Sequence, residues 1–220
     1  MTYNRVIVLA NGEINDLEFV RRRISADDFI ICADGGALHA LAMGIQPDLV
    51  IGDMDSLPAS VIERLQGSKA EFLRFPAEKD KSDLELALER AVALAPKEIL
   101  LVGALGGGRF DQAIGNLLLL TIPLRAGIPA RIIDERHHIY LTEQEITVSG
   151  SPGETVSLFS LTPEVENITT EGLKYPLAGE TLYFASTRGL SNEFTGHRAR
   201  ITTGPGLMLV IVCRDQRNGF

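Results

Sequence analysis

The stretch Pro47-Asp48-Leu49-Val50-Ile51-Gly52-Asp53-Met54-Asp55-Ser56 contains the pattern that decides the fold. A short apolar run, residues 48–51, is followed at once by a glycine and a series of polar side chains. Such runs are typical of strands buried on both faces of a parallel sheet. The polar loop then follows the strand at the carboxyl edge, where open α/β sheets bind their ligands. The stretch therefore predicts a parallel strand that delivers polar groups to a ligand site.

Comparable apolar runs recur along the first part of the chain and alternate with amphipathic segments. Predicted strands cover residues 5–10, 29–33, 48–51, 71–75, 98–104 and 130–133. Predicted helices cover residues 16–23, 38–43, 60–65 and 83–95, and a further helix runs from 111 through 120 and ends near Pro123. This alternation predicts an α/β domain over residues 1–134 with a mostly parallel, Rossmann-like sheet.

The segment 83–95 carries the clearest helical pattern in the chain. Its apolar side chains recur at spacings of three and four residues, at Leu84, Ala87, Leu88, Ala91 and Ala95. Ser82 stands at the N-cap position, and Glu85 follows three residues later, which together form a capping-box pattern. The pattern therefore predicts that this helix begins directly after Ser82.

From Glu135 onward the pattern changes to short alternating segments separated by turns. Predicted strands cover residues 138–141, 145–148, 155–161, 180–186, 198–202 and 207–213. The glycine- and proline-containing stretches 150–153 and 204–206 are typical of tight turns. The second part, residues 135–220, is therefore predicted to be an antiparallel all-β sandwich or barrel with almost no helix.

Composition narrows the class of protein. The chain has 220 residues, of which 45% are apolar and 23% charged, as in ordinary globular proteins. Its net charge of −8 disfavours nucleic acid as a main partner, because phosphate binding needs clustered cations. Cys32 and Cys213 lie within apolar runs, and no CxxC or HExxH pattern supports a zinc site. The N-terminal apolar run 6–10 is too short for a signal peptide or a membrane span, so we expect a cytoplasmic protein.

Four of the predicted strands are followed by aspartates or glycines. These residues are Asp34 and Gly35 after the second strand, Asp53 and Asp55 after the third, Asp80 and Asp83 after the fourth, and Gly106–Asp111 after the fifth. Because the carboxyl ends of parallel strands meet at one edge, we expect these groups to converge. Clustered carboxylates repel one another unless a cation lies among them, and oxygen ligands favour Mg²⁺.

Local spacing supports the same interpretation. Asp53 and Asp55 are two residues apart, so an extended segment would present both carboxylates on one face. Asp80 and Asp83 are three residues apart across the predicted start of a helix. Any one of these aspartates taken alone is better explained as a cap or turn residue. Only the combination predicts a metal site.

The glycine run after the fifth strand predicts a phosphate-binding loop. Gly106, Gly107 and Gly108 lie between a strand and a helix, where backbone N–H groups and the helix dipole bind anions. Arg109 adds a permanently charged, bidentate donor. The sequence contains neither G-x-G-x-x-G nor G-x-x-x-x-G-K-[ST], so the standard dinucleotide and Walker motifs are excluded. Together with the carboxylates, the loop predicts a magnesium–nucleotide site of another kind.

These residues, taken in order, resemble the bacterial type of the thiamine pyrophosphokinase family. The resemblance covers most of the chain and lies in Ala33-Asp34-Gly35-Gly36, in the stretch 47–56, in Lys79-Asp80-Lys81-Ser82-Asp83, in Gly107-Gly108-Arg109-Phe110-Asp111-Gln112, in residues 170–177 and in Gly189-Leu190-Ser191-Asn192-Glu193-Phe194. It implies transfer of pyrophosphate from MgATP to the thiamine hydroxyl, which gives thiamine diphosphate and AMP. It also implies a homodimer with thiamine at the subunit interface.

The resemblance assigns roles to individual residues. It implies that Asp53, Asp55 and Asp83 hold Mg²⁺ and that Asp80 completes a catalytic acidic cluster. The residues that it implies for the nucleotide and its phosphates are Asp34, Gly35, Gly107, Gly108, Arg109, Asp111 and Gln112, with Arg109 also acting in catalysis. Ser191 and Asn192 match the stretch that reaches thiamine. Some relatives place a tryptophan near this stretch to stack on the ligand; this chain has no tryptophan, and Phe194 is the candidate substitute.

Two other functions remain open from the sequence. One is a pyrophosphokinase that acts on a pterin alcohol, because the substrate depends on contacts around residues 191–194. The other is a non-catalytic sensor of a nucleotide or of thiamine diphosphate. Within the proposed reaction, Asp83 and Asp80 are both candidates for the carboxylate that accepts the hydroxyl proton.

Overall fold

The computed structural model describes residues 3–214 of the chain. These residues form two compact units that divide between Glu135 and Arg136. Across the described residues, every helix is too short or too polar to pass through a lipid bilayer.

The first unit is built on a six-stranded parallel sheet. Its strands are β1 (Arg5–Leu9), β2 (Phe29–Ala33), β3 (Leu49–Gly52), β4 (Glu71–Arg74), β5 (Glu98–Val102) and β6 (Ala130–Ile133). The spatial order is β6-β5-β1-β2-β3-β4, and every neighbouring pair is parallel. The chain therefore runs outward from β1 to β4 and returns to β5 on the other side of β1. The strand order reverses between β1 and β5, which is where such sheets open a ligand crevice.

Continuous apolar runs explain this sheet. From their second residue onward, β1, β2 and β5 are fully buried, as expected for strands covered on both faces. The helices of this unit are α1 (Leu17–Arg21), α2 (Gly36–Ala42), α3 (Ala59–Gln66), α4 (Asp83–Ala93), α5 (Phe110–Leu118) and α6 (Thr121–Arg125). Side chains from α2 and α3 join those of the central strands in one hydrophobic core.

The helix boundaries confirm one prediction and correct another. Ser82 caps α4 as predicted, with its Oγ accepting a hydrogen bond of 3.2 Å from the backbone N–H of Glu85. The helix predicted from residue 111 through 120 is present, but its predicted end near Pro123 is wrong. The chain instead ends α5 at Leu118 and forms α6, in which Pro123 is the third residue. Proline is tolerated there because the first-turn N–H groups of a helix have no intrahelical acceptor.

The second unit consists of antiparallel strands. They are β7 (His137–Thr142), β8 (Glu145–Ser149), β9 (Thr155–Ser160), β10 (Glu164–Glu171), β11 (Ala178–Tyr183), β12 (Asn192–Glu193), β13 (Arg198–Thr202) and β14 (Met208–Cys213). One sheet has the order β12-β9-β14-β7 and the other β11-β10-β13-β8. Both sheets contribute to a single buried cluster, for example Val156 and Val210 from the first and Ile168 and Ile201 from the second.

The strands β10 and β12 are absent from the sequence prediction. In β10 the buried residues Val165 and Ile168 are three positions apart, which breaks the two-residue alternation expected of a strand. The pairing with β11 shifts register between them, and Asn167 there has a φ of +50°. This irregularity lets both side chains reach the core. The strand β12 has two residues, too few to produce a pattern.

Gly36 should tolerate no side chain, because α2 begins directly against β1. A Cβ at Gly36 would lie 2.1 Å from the carbonyl oxygen of Leu9. We expect Gly36→Ala to destabilise the protein by about 1–3 kcal/mol in urea unfolding. Gly115 is the control, since it lies inside α5 with open space around it. Gly115→Ala should stabilise by about 0.5–1 kcal/mol, and equal effects of the two substitutions would contradict the close approach.

Candidate active site

A cleft of about 450 Å³ opens at the carboxyl edge of the parallel sheet. The loops after β1, β2, β3, β4 and β5 all contribute to its lining. Its polar lining residues are Asn11, Asp34, Asp53, Asp55, Ser56, Lys79, Lys81, Ser82, Asp83, Gln112 and Asn116. The edge of the sheet therefore brings side chains that are more than a hundred residues apart in sequence, such as Asn11 and Asn116, into one space.

Three carboxylates form the centre of this cleft. Asp34, Asp53 and Asp83 each present an oxygen, and the three oxygens lie within 4.8 Å of one another. We refer to these residues as the carboxylate trio. Each comes from a different loop: Asp34 follows β2, Asp53 follows β3, and Asp83 is the first residue of α4. The trio is thus a product of the fold rather than of a local sequence motif.

Backbone geometry holds the trio together. Asp34 has a φ of +42°, in the left-handed region that aspartate tolerates better than most residues, and its N–H donates to the carbonyl of Ile51 in β3 at 2.7 Å. Gly52 has a φ of +150°. A Cβ at Gly52 would lie 3.0 Å from Cβ of Asp34 and 3.2 Å from Cγ of Asp83. Glycine at this position therefore lets the carboxylates approach.

Lys79 brings an ammonium group to the trio. Its Nζ lies 3.1 Å from Oδ1 of Asp83 and 3.9 Å from Oδ2 of Asp53. It also donates a hydrogen bond of 3.1 Å to the carbonyl of Pro76. One ammonium faces three carboxylates, so the centre of the cleft keeps an excess of negative charge.

The electrostatics of the trio are those of a cation site. Burial raises the pKa of Asp83, and the carboxylates of Asp53 and Asp34 act in the same direction, while Lys79 opposes them. Asp34 is 6% exposed, and its Oδ1 is a buried atom that accepts no hydrogen bond from the described residues. A buried, unpaired carboxylate oxygen is costly. Three oxygen donors in this arrangement fit Mg²⁺, which is held by a few carboxylates together with water and phosphate.

The predicted residues Asp55 and Asp80 lie outside the trio. Asp55 lines the cleft wall, and its N–H donates to Oδ1 of Asp53 at 3.1 Å. The argument that Asp53 and Asp55 share a face required an extended segment. Met54 between them has a φ of +69°, so the segment turns instead. Asp80 is exposed and does not belong to the cleft lining.

The glycine loop and the start of α5 flank the cleft. Gly107 and Gly108 have φ values of +102° and +73° and are exposed to solvent. Arg109 donates two hydrogen bonds to Asp111, of 2.9 and 2.7 Å, and this pairing lowers the pKa of Asp111 to about 2. Both side chains are exposed, so the pair adds little stability. Gln112, one turn into α5, lines the cleft.

The loop after β1 is a part of the site that the sequence analysis overlooked. Asn11 and Gly12 line the cleft, and Gly12 donates its N–H to the carbonyl of Gly103 at 2.8 Å. The predicted residue Gly35 lies beneath this loop, and a Cβ there would be 2.1 Å from Oδ1 of Asn11. The signal was present, because Asn11-Gly12 follows an apolar run in the same way as the other site loops.

In the second unit, Ser191 and Asn192 line a separate cleft of about 260 Å³. The side chain of Asn192 is committed to the backbone of Tyr175. Its Oδ1 accepts from the Tyr175 N–H at 3.0 Å, and its Nδ2 donates to the Tyr175 carbonyl at 2.7 Å. Asn192 is 8% exposed, whereas Tyr175 is 54% exposed and lines the cleft. Asn192 therefore fixes the position of an exposed aromatic residue.

Phe194 does not take the place of a stacking tryptophan. Its side chain is 2% exposed and belongs to the hydrophobic core of the second unit. A Cβ at Gly150 would lie 2.6 Å from the Phe194 ring, so that ring also packs tightly against backbone. Tyr175 is the aromatic side chain that the cleft presents.

The cleft contains a carboxylate trio and also reaches the loops after β1 and β5, between which the strand order reverses. Such a site defines an α/β protein that holds a charged ligand at its sheet edge. The family model for the thiamin pyrophosphokinase catalytic domain matches residues 20–132. The model for the vitamin B1 binding domain of the same family matches residues 136–208. The chain belongs to the thiamine pyrophosphokinase family.

Individual relatives agree with this assignment. Thiamine pyrophosphokinase of Bacillus subtilis is 29% identical over 187 residues, which cover 84% of this chain and 87% of the relative. The crystal structure of the Bacillus subtilis protein gives a TM-score of 0.86 at 28% identity, with 96% of this chain and 99% of that chain covered. The structure from Geobacillus thermodenitrificans gives 0.83 at 30% identity, with 96% and 98% covered.

Substitution of Gly52 tests whether the absence of a side chain there is needed for the spacing of the trio, apart from the backbone strain that any side chain at a positive φ causes. We expect Gly52→Ala to weaken binding of Mg²⁺ in calorimetry, because its methyl group would displace Asp34 and Asp83 by a few tenths of an ångström. Gly127→Ala is the control: its φ of +69° is also unfavourable for alanine, but nothing lies within 4 Å. Both variants should lose about 1–2 kcal/mol of stability or more. Unchanged Mg²⁺ binding in Gly52→Ala would contradict the spacing argument.

Proposed function

We propose that the chain transfers the pyrophosphoryl group of ATP to the hydroxyl of thiamine and so produces thiamine diphosphate and AMP. The observation that carries this proposal is the match of both units to the two domain models of one family. The position of the carboxylate trio supports it, because the trio lies within the part of the chain that the catalytic-domain model covers. Pyrophosphoryl transfer to thiamine makes the protein a transferase of thiamine diphosphate biosynthesis.

We further propose that the trio binds Mg²⁺. Asp34, Asp53 and Asp83 would be its ligands, and Asp55 would act from the cleft wall, where its N–H orients the Asp53 carboxylate. This set differs from the predicted Asp53, Asp55 and Asp83 in that the buried Asp34 takes the place of Asp55. When bound, Mg²⁺ supplies Lewis-acid stabilisation of the charge on the phosphate oxygens.

The glycine loop and α5 are proposed to orient the polyphosphate of ATP. The exposed N–H groups of Gly107 and Gly108 and the N-terminus of α5 form an anion-binding surface. Arg109 is free to turn from Asp111 to phosphate, because its ion pair is fully exposed and therefore weak. Gln112 projects from the first turns of the same helix into the cleft.

The reaction forms a bond between the thiamine oxygen and the β-phosphorus and breaks the bond that joins this phosphorus to AMP. The proton of the hydroxyl must pass to a base during this step. Asp83 and Asp80 are the two candidates. We favour Asp83, because it lines the cleft and Asp80 does not.

The cleft of the second unit is the proposed thiamine site. Tyr175 offers an aromatic face for a heteroaromatic ring, and Ser191 lies beside it and donates its N–H to Oγ of Ser157 at 3.0 Å.

We also propose that the first domain is Rossmann-like and that the second is a β-sandwich. We further propose a homodimer with thiamine at the subunit interface, and a cytoplasmic location. Packing of both sheets of the second unit around one core supports the sandwich.

Activity tests the site directly. Purified protein with Mg²⁺, ATP and thiamine should release one AMP for each thiamine diphosphate formed; release of ADP, or turnover of a pterin alcohol in place of thiamine, would contradict the proposal. Asp53→Asn and Asp83→Asn should each lower kcat by at least about a hundredfold, since a charged ligand is lost. Circular dichroism should stay unchanged. The control is Asp27→Asn, an exposed aspartate outside the cleft, which should keep full activity.

A double-mutant cycle tests the thiamine cleft. Tyr175→Ala should raise the KM for thiamine about tenfold, because stacking of one aromatic ring is lost. Asn192→Ala should have a similar effect, and the double variant should be no worse than either single one. Tyr183→Ala removes an equally exposed tyrosine outside the cleft and should leave the KM unchanged. Additive effects of Tyr175→Ala and Asn192→Ala would show that Asn192 acts on thiamine directly.

A further inference from the structure

The two lysines between β4 and α4, Lys79 and Lys81, differ in the exposure of their side chains and in the carboxylates that their ammonium groups contact. The side chain of Lys79 is 14% exposed, and its ammonium faces Asp83 and Asp53. The side chain of Lys81 is 44% exposed, and its ammonium pairs with Glu89 at 2.5 Å. Surface exposure is the ordinary state of a lysine side chain. The burial of Lys79 beside the trio therefore needs an explanation.

Repulsion within the trio provides that explanation. Three carboxylate oxygens within 4.8 Å oppose one another strongly where water is partly excluded. The Lys79 ammonium offsets part of this repulsion at 3.1 Å from Asp83. It does not offset all of it, because the buried Oδ1 of Asp34 accepts no hydrogen bond from the described residues. In this state Lys79 acts as an internal cation at the trio.

We propose that Lys79 holds the cation position of the trio in the free protein and exchanges it for the polyphosphate of ATP when a divalent cation binds. The proposal rests on the Mg²⁺ site proposed above. Two cations so close to the same oxygens repel each other, so the ammonium must withdraw. Phosphate oxygens that enter with the metal offer the ammonium a new anionic partner.

The local structure permits this exchange. Lys79 lies in the irregular segment between β4 and α4. Within residues 3–214, its ammonium makes the two ion pairs and the hydrogen bond to the Pro76 carbonyl. Rotation about its four-carbon stem moves the ammonium several ångströms without a change in the backbone. The residue lines the same cleft as Gln112, which lies next to the proposed polyphosphate surface. A short movement therefore takes the charge from carboxylate to phosphate.

The exchange couples the binding of metal and nucleotide. In the free protein, a divalent cation has to displace Lys79, which weakens its binding. With nucleotide present, the displaced ammonium gains a phosphate partner, so that metal and nucleotide strengthen each other. Removal of the ammonium should therefore tighten binding of the metal alone and reduce this mutual effect.

Titration with Mn²⁺, followed by electron paramagnetic resonance, tests the proposal in the wild type and in Lys79→Met. Each protein is titrated alone and with α,β-methylene ATP, in which a methylene group replaces the oxygen between the α- and β-phosphorus atoms, so that the bond broken in the reaction is absent. We expect Lys79→Met to bind Mn²⁺ on the order of tenfold more tightly than the wild type without nucleotide. The analogue should strengthen Mn²⁺ binding clearly in the wild type and much less in the variant.

Two further variants separate this role from a structural one. Lys69→Met removes the charge of an exposed lysine outside the cleft, and should change Mn²⁺ affinity by less than about twofold. Lys79→Arg keeps the charge and should bind Mn²⁺ as weakly as the wild type. Thermal melting checks that each variant is folded.

The outcomes distinguish this proposal from the one on which it rests. Absence of Mn²⁺ binding in the wild type with the analogue would overturn the metal site itself. Normal Mn²⁺ binding in the wild type, with equal or weaker binding in folded Lys79→Met, would overturn the exchange alone and leave Lys79 as a structural counter-ion.

Discussion

The structure of the site depends on the repulsion among three carboxylates that the sheet edge forces together. Asp34, Asp53 and Asp83 belong to loops that a parallel sheet must bring to the same place. Two residues close to these aspartates relieve part of the repulsion. Gly52 gives the space, and Lys79 gives a partial counter-charge. The remaining negative charge is what makes the cleft receptive to a divalent cation.

Much of the first unit was predictable, because its strands are continuous apolar runs buried on both faces. The predicted strands 29–33 and 130–133 agree with β2 and β6 residue for residue. The convergence of the loops follows from the strand order and so was also accessible. The sequence did not reveal which three aspartates form the trio. Membership of the trio depends on two backbone angles, those of Asp34 and Met54, which place one aspartate inside and turn Asp55 away. Periodicity carries no information on such angles.

The second unit shows a different limit of sequence reasoning. A strand with a register shift, such as β10, loses the alternation by which strands are recognised. The resemblance led to Asn192 as a ligand residue, whereas its amide is satisfied by the backbone of Tyr175. Residue type alone does not distinguish an amide that binds a ligand from one that fixes the loop beside it. That distinction needs the hydrogen-bond partners.

The Ser82 cap has a consequence for how this protein can change. Asp83 is both the first residue of α4 and a member of the trio. The Ser82 cap that fixes the start of the helix therefore also fixes the position of the Asp83 carboxylate. A substitution that frays the first turn would shift the aspartate as well as loosen the helix. A single substitution at Ser82 therefore alters both the stability of α4 and the position of the Asp83 carboxylate. A variant that improves one and preserves the other would need a second, compensating substitution.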